Sequence, residues 1–145
     1  ISVGSGSSIT IGTNGNPVIS YHRENGGVKL AACNDPTCAT ATFRVVDDGD
    51  VGLGGTSITI GSNGNPVISY GDDANGDLKV AACNDPTCAT ATIRAVGSTN
   101  NVGFFSSITI GANGNPIVAY DDATDDDLRL AFVSGTSWAP NSWGR

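Results

Sequence analysis

Ser8-Ile9-Thr10-Ile11-Gly12 returns as Ser57 to Gly61 and again as Ser107 to Gly111, at steps of 49 and 50 residues. This threefold period constrains the fold more than any other feature, because each copy must be one supersecondary unit that buries its apolar faces on its neighbours. The repetition runs through the whole unit. Asn14-Gly15-Asn16-Pro17 recurs at Asn63 to Pro66 and Asn113 to Pro116, and Tyr21, Tyr70 and Tyr120 close the segment that follows. Ala31 to Thr42 is repeated letter for letter at Ala81 to Thr92.

Within each unit, Ser-Ile-Thr-Ile alternates polar and apolar residues, and Asn-Gly follows two residues later, which predicts a strand A and a type I′ hairpin turn. Strand B is Pro17 to Tyr21, Pro66 to Tyr70 or Pro116 to Tyr120, with its proline at the first position, where a missing donor does least damage. Strand C is Val28 to Cys33, Leu78 to Cys83 or Leu128 to Val133. Strand D is Ala41 to Val46 or Ala91 to Val96, with a divergent third version near Trp138 to Trp143. Val18-Ile19 and Leu30-Ala31-Ala32 are apolar at adjacent positions, as in strands covered on both faces. Twenty glycines and six prolines suit short strands and tight turns.

The predicted fold is therefore all-β: one repeat domain over 1–145, with four-stranded antiparallel blades at about 7–47, 56–97 and 106–145. A β-solenoid has shorter rungs, and a β-sandwich leaves the repeat unexplained. Closed propellers carry about four to eight blades, so a half propeller leaves two apolar sheet faces to cover. Head-to-tail pairing of two chains would close a six-bladed ring by two-fold rotation. Further blades of a longer parent chain are the rival, and a chain without methionine even at position 1 is expected to be processed or a fragment.

At Ser57-Ile58-Thr59-Ile60-Gly61, Asn63 to Tyr70 and Leu78-Lys79-Val80-Ala81, the chain resembles tandem propeller-like repeats of secreted or surface bacterial proteins. The resemblance extends over all three units. It implies fold and compartment more than activity, since propellers host lectins, hydrolases, lyases and scaffolds alike. The aspartate and aromatic of a sialidase Asp-box are missing near Ser62 to Asn65, and no Trp-Asp dipeptide ends a unit.

Cys33-Asn34-Asp35-Pro36-Thr37-Cys38 and its twin Cys83 to Cys88 each sit in the turn from strand C to strand D. Four cysteines allow three pairings, and the duplicated spacing favours the local bridges Cys33 to Cys38 and Cys83 to Cys88. Loops this short stabilise by roughly 2 kcal/mol each. Two thiolates could also form half a zinc shell, but the single histidine, His22, lies on a different turn. Bridges imply an oxidising compartment, so the chain is expected to be secreted or at the cell surface.

Fourteen acids against seven bases give a net charge of -7, which repels phosphate backbones and anionic lipid surfaces. No nucleic-acid partner is expected, and no apolar run is long enough for a membrane-spanning helix. Twelve of the acids fall on the B-to-C turns (His22 to Gly27, Gly71 to Asp77, Asp121 to Asp127) and the D-to-A links (Asp47 to Gly55, Gly97 to Ser106), leaving only Asp35 and Asp85 on the opposite edge. That distribution predicts one acidic, loop-rich edge, and the resemblance to propellers implies that this edge holds the binding site.

Candidate ligand-binding residues on this edge are Tyr21, Tyr70, Tyr120, Asp72, Asp73, Asp121 and Asp122, because a tyrosine beside carboxylates can hold a sugar. The same tyrosines equally suit packing between blades. Asp72, Asp73, Asp77, Asp125 and Asp127 are candidate calcium ligands, although their spacing departs from an EF-hand loop and solvated turns use the same residues. No other cofactor is indicated.

For catalysis there is no Ser/His/Asp set or phosphate loop, only chance carboxylate pairs such as Asp72 with Asp122. The expected function is a non-enzymatic extracellular module whose acidic loops meet a glycan, cation or protein. A glycan-processing propeller enzyme and a purely structural, self-associating repeat are the alternatives.

Overall fold

Each copy of the repeat folds into four antiparallel strands joined in sequence order. The computed structural model describes residues 3–23, 27–98, 101–134 and 137–142. The first sheet comprises β1 (Val3–Ile11), β2 (Pro17–Arg23), β3 (Val28–Cys33) and β4 (Ala41–Asp47). The second comprises β5 (Val51–Ile60), β6 (Pro66–Asp72), β7 (Asp77–Cys83) and β8 (Ala91–Gly97), and the third β9 (Val102–Ile110), β10 (Pro116–Asp122), β11 (Asp127–Ser134) and β12 (Ser137–Ser142). The all-β, antiparallel reading holds, and among the described residues no helix is long and apolar enough to cross a membrane. Glu24 and Trp143 lie outside the described residues.

Two local expectations change. The Asn-Gly turn is wider than a two-residue type I′ hairpin: Ile11 pairs with Pro17, Gly12 N–H donates to Asn16 O at 2.8 Å, and only Gly15 takes a positive φ of 81°. The Asn14 side chain explains the geometry by accepting the Asn16 N–H at 3.0 Å, an Asx turn that holds Asn14 out of the left-handed region. The segments read as D-to-A links are largely strand, since β5 begins at Val51 and β9 at Val102. Their glycines look like a loop by composition, yet they serve a bulged strand, with a register shift between Val51 and Thr56. Gly55, at φ 90°, lies directly against Gly6, so two first strands meet backbone to backbone where a Cβ at Gly6 would not fit.

The core forms two slabs, one on each side of the middle sheet. Ile68, Tyr70, Ala81 and Cys83 face Val18, Val28, Leu30 and Ala32 of the first sheet. Val67, Leu78, Val80 and Val96 face Val102, Ile108, Val118 and Tyr120 of the third. Adjacent apolar residues such as Val67 and Ile68 thus serve opposite faces.

Hydroxyl groups register the sheets. Ser20 Oγ lies 2.8 Å from Thr56 Oγ1 and Ser69 Oγ 2.9 Å from Ser106 Oγ, while the Ile58 and Ile108 N–H groups donate to Ser8 Oγ (3.3 Å) and Ser57 Oγ (3.1 Å). The same two contacts are made at both junctions, so the repeat is one of interfaces as well as of sheets.

Candidate functional site

The two Cys-x4-Cys turns lie on one edge with the Asn-Gly-Asn-Pro turns. Both predicted bridges are formed, Cys33 to Cys38 and Cys83 to Cys88, each with Cα atoms 4.8 Å apart. Asp35 Oδ1 accepts the Thr37 hydroxyl and the backbone N–H groups of Thr37 (2.9 Å) and Ala39 (3.3 Å). The Thr37 hydroxyl, followed by the Ala39 N–H, holds the Asp35 carboxyl below the usual carboxylate range, and Thr87 does the same for Asp85. The acids of this edge are therefore occupied in shaping their own turns.

Between the first and second sheets this edge opens into a cleft of about 200 Å³, with Val18, Ala32 and Pro66 as apolar wall and Asn14, Asn16, Asn34 and Thr87 as polar rim. A second cleft of about 280 Å³ lies between the second and third sheets, where Val67, Val80 and Pro116 meet Asn115, Ser134 and Arg94. Val67, Ala82 and Pro116 are the repeat equivalents of Val18, Ala32 and Pro66, so the two clefts share an apolar wall while their polar rims differ. Among the described residues neither lining contains a carboxylate or an imidazole.

The acidic edge is organised differently. Tyr70 and Tyr120 are buried between sheets, in the packing role, and Tyr70 donates its hydroxyl proton to Asp47 Oδ2 of the first sheet at 2.9 Å. Burial, then the Asp47 carboxylate, pushes the Tyr70 phenol well above its ordinary value, and burial raises Tyr120 as well. Asp72 is buried, 2.7 Å from Lys79 Nζ, and accepts the Asn75 side-chain amide at 2.9 Å. Burial alone would raise its pKa, but Lys79 and Asn75 outweigh that and hold it below the carboxylate range. Lys79 also lies 3.5 Å from Asp47.

In the third sheet, buried Asp122 sits 2.7 Å from Arg129 Nε and accepts the Thr124 N–H at 3.1 Å. Asp73 and Asp121 are half-buried, and Tyr21 lies half-buried on the free face of the first sheet. The seven candidates thus do not form one solvent-facing site: Tyr70, Tyr120, Asp72 and Asp122 are spent on inter-sheet and intra-sheet contacts. The calcium set does not converge either. Among the described residues no group of three or more His, Cys, Asp or Glu side chains is suited to a metal, because the turn carboxylates point to local amides and bases.

The chain matches no protein-family model and no curated protein. Its structure is similar to that of a fucose lectin from Kordia zhangzhouensis, solved in complex with methyl-fucoside. The TM-score is 0.56, over 97% of this chain and 100% of the lectin chain. What the two share is a fold. At 10% identity no binding residue passes from one chain to the other.

The cleft residues were not singled out from the sequence, because acids and aromatics drew the reading to the other edge. The available signal was the coincidence of two repeated turns, Asn-Gly-Asn-Pro and Cys-Asn-Asp-Pro-Thr-Cys, on one side of the first and second units. Their meeting across successive sheets needed coordinates.

Proposed function

We propose that this chain is an extracytoplasmic, non-enzymatic binding module of β-propeller type that holds glycans in the clefts between successive blades. The observation that carries the reading is a cleft at each junction between sheets with the same apolar wall, rimmed by neutral amides and hydroxyls in the first and by Asn115, Ser134 and Arg94 in the second. A sugar offers hydroxyl groups beside C–H faces, and a small concave site with few placed polar groups suits it. Among the described residues the linings hold no carboxylate or histidine of the kind acid–base turnover requires. The lectin neighbour, at TM-score 0.56, supports the same class.

Support for reading the sheets as blades comes from the first strands: β5 packs on both β1 and β2, and β9 on β5 and β6, as inner strands gathered near an axis would. Two such chains would supply the six blades of a closed ring. The paired bridges and the resemblance to repeats of secreted or surface bacterial proteins support the compartment.

A glycan array followed by calorimetric titration tests the function. Ala82 is exposed in the second cleft, and Ala82→Trp should fill that cleft and remove one class of site. Asp121→Asn on the acidic edge should leave binding unchanged. Loss of binding in Asp121→Asn with Ala82→Trp unaffected would move the site to the acidic edge, and an array without any bound glycan would end the reading.

A further inference from the structure

We infer that the free face of the third sheet docks on the free face of the first sheet of a second copy, so that two chains close head to tail. This rests on the propeller-type reading and names the partner it needs.

Both free faces are halves of the interface already made twice within the chain. Ile58 and Ile108, on the faces turned to the preceding sheet, are 6% and 7% exposed, whereas their equivalent Ile9 is 63% exposed. Leu78, on the face turned to the following sheet, is fully buried, whereas its equivalent Leu128 is 64% exposed. The backbone shows the same half-contact. Gly103, at φ 96°, lies so close to the second sheet that a Cβ there would sit 2.8 Å from Leu78 Cα. Gly4 repeats that conformation at φ 90° but has nothing within 4 Å. Leu128 of a second copy is the residue that would stand against Gly4.

The polar contacts continue the pattern. Ser107 is the third copy of the serine whose hydroxyl accepts the isoleucine N–H of the next sheet, and Ile9 N–H is the matching donor on the first. Charge selects the direction of pairing. Arg23 and Lys29 occupy the first-sheet places that Asp72 and Lys79 hold in the second, so two first sheets face to face would bring four bases together. Head-to-tail docking instead brings them to the end bearing Asp121, Asp125, Asp126 and Asp127, as Lys79 meets Asp47 within the chain. One contact is missing at this joint: Ala119 stands where Ser20 and Ser69 bond the next sheet, opposite Ser7.

The experiment is light scattering of the wild-type chain and three variants across a dilution series. The wild type should have twice the 14.6 kDa chain mass. Leu128→Asp and Ile9→Asp, both at exposed positions, should each be monomeric, while an equimolar mixture recovers one intact joint and a dimer. Ala119→Ser should restore the missing hydroxyl pair at both joints of the ring and lower the dissociation constant about four- to a hundredfold, two- to tenfold for each joint. A monomeric wild type, a filament or larger ring, or a Leu128→Asp variant that stays dimeric would each overturn the inference. Glycan titration of the Leu128→Asp monomer separates the two proposals, because its in-chain clefts should bind whether or not the ring forms.

Discussion

Strands β2 and β6 begin with Pro-Val-Ile-Ser-Tyr, yet β6 is buried at every residue from Pro66 to Asp72, whereas β2 is buried only at Val18, Ser20 and His22. The local physics of the two segments is the same, and their hairpins share a register: Ile9 pairs with Ile19 and Ile58 with Ile68. Position makes the difference, because β6 has a sheet on each side and β2 on one. An apolar pair such as Val-Ile therefore encodes the capacity to be sandwiched, and whether both members are used depends on what lies outside the strand. The contrast extends to charge. Asp72 closes a buried pair with Lys79, while the corresponding Arg23 stands on the free side.

The comparison is most exposed to failure at the tyrosines. In the monomeric Leu128→Asp background, Tyr70→Ala should cost about 3–5 kcal/mol through lost packing and the lost hydrogen bond to Asp47. Tyr21→Ala should cost less than about 1 kcal/mol there. Urea unfolding measures both, and equal costs would mean that the two flanks of the molecule do not differ as described.

A smaller effect should appear in the pH dependence. The folded pKa of Asp72 lies below its unfolded value, so its stabilisation is present above about pH 4 and is lost as pH falls through the folded value. Asp72→Asn should lower stability at neutral pH and make the acid decline shallower, and Arg23→Gln should leave that slope alone. Thermal unfolding between pH 2 and 7 decides it, with Asp35 and Asp85 supplying the decline that remains. The smallest expected change is Ser69→Ala, about 1 kcal/mol for the lost Ser106 contact, against less than about 0.5 for exposed Ser7→Ala.

Strand order, the proline at the head of each B strand and the two disulfides were legible because each depends on residues near in sequence. The first halves of β5 and β9 were not, since glycine-rich Val51 to Gly55 reads as a link until its neighbour Gly6 is seen against it. The candidate site was the least legible part. Acidic loops and tyrosines look like ligand groups when partners are unknown, and Lys79, Arg129 and Asp47, which occupy them, lie on other strands.

The sequence by itself determined a threefold repeat of four short strands and the covalent turns that staple two of them, because periodicity, turn chemistry and a five-residue cysteine separation act along the chain. Only the tertiary structure decided which tyrosines are wedges, which carboxylates are neutralised, and on which edge a cleft opens. Those outcomes depend on how one sheet's side chains meet the next sheet's, at separations near fifty residues, and desolvation is settled only where the faces touch.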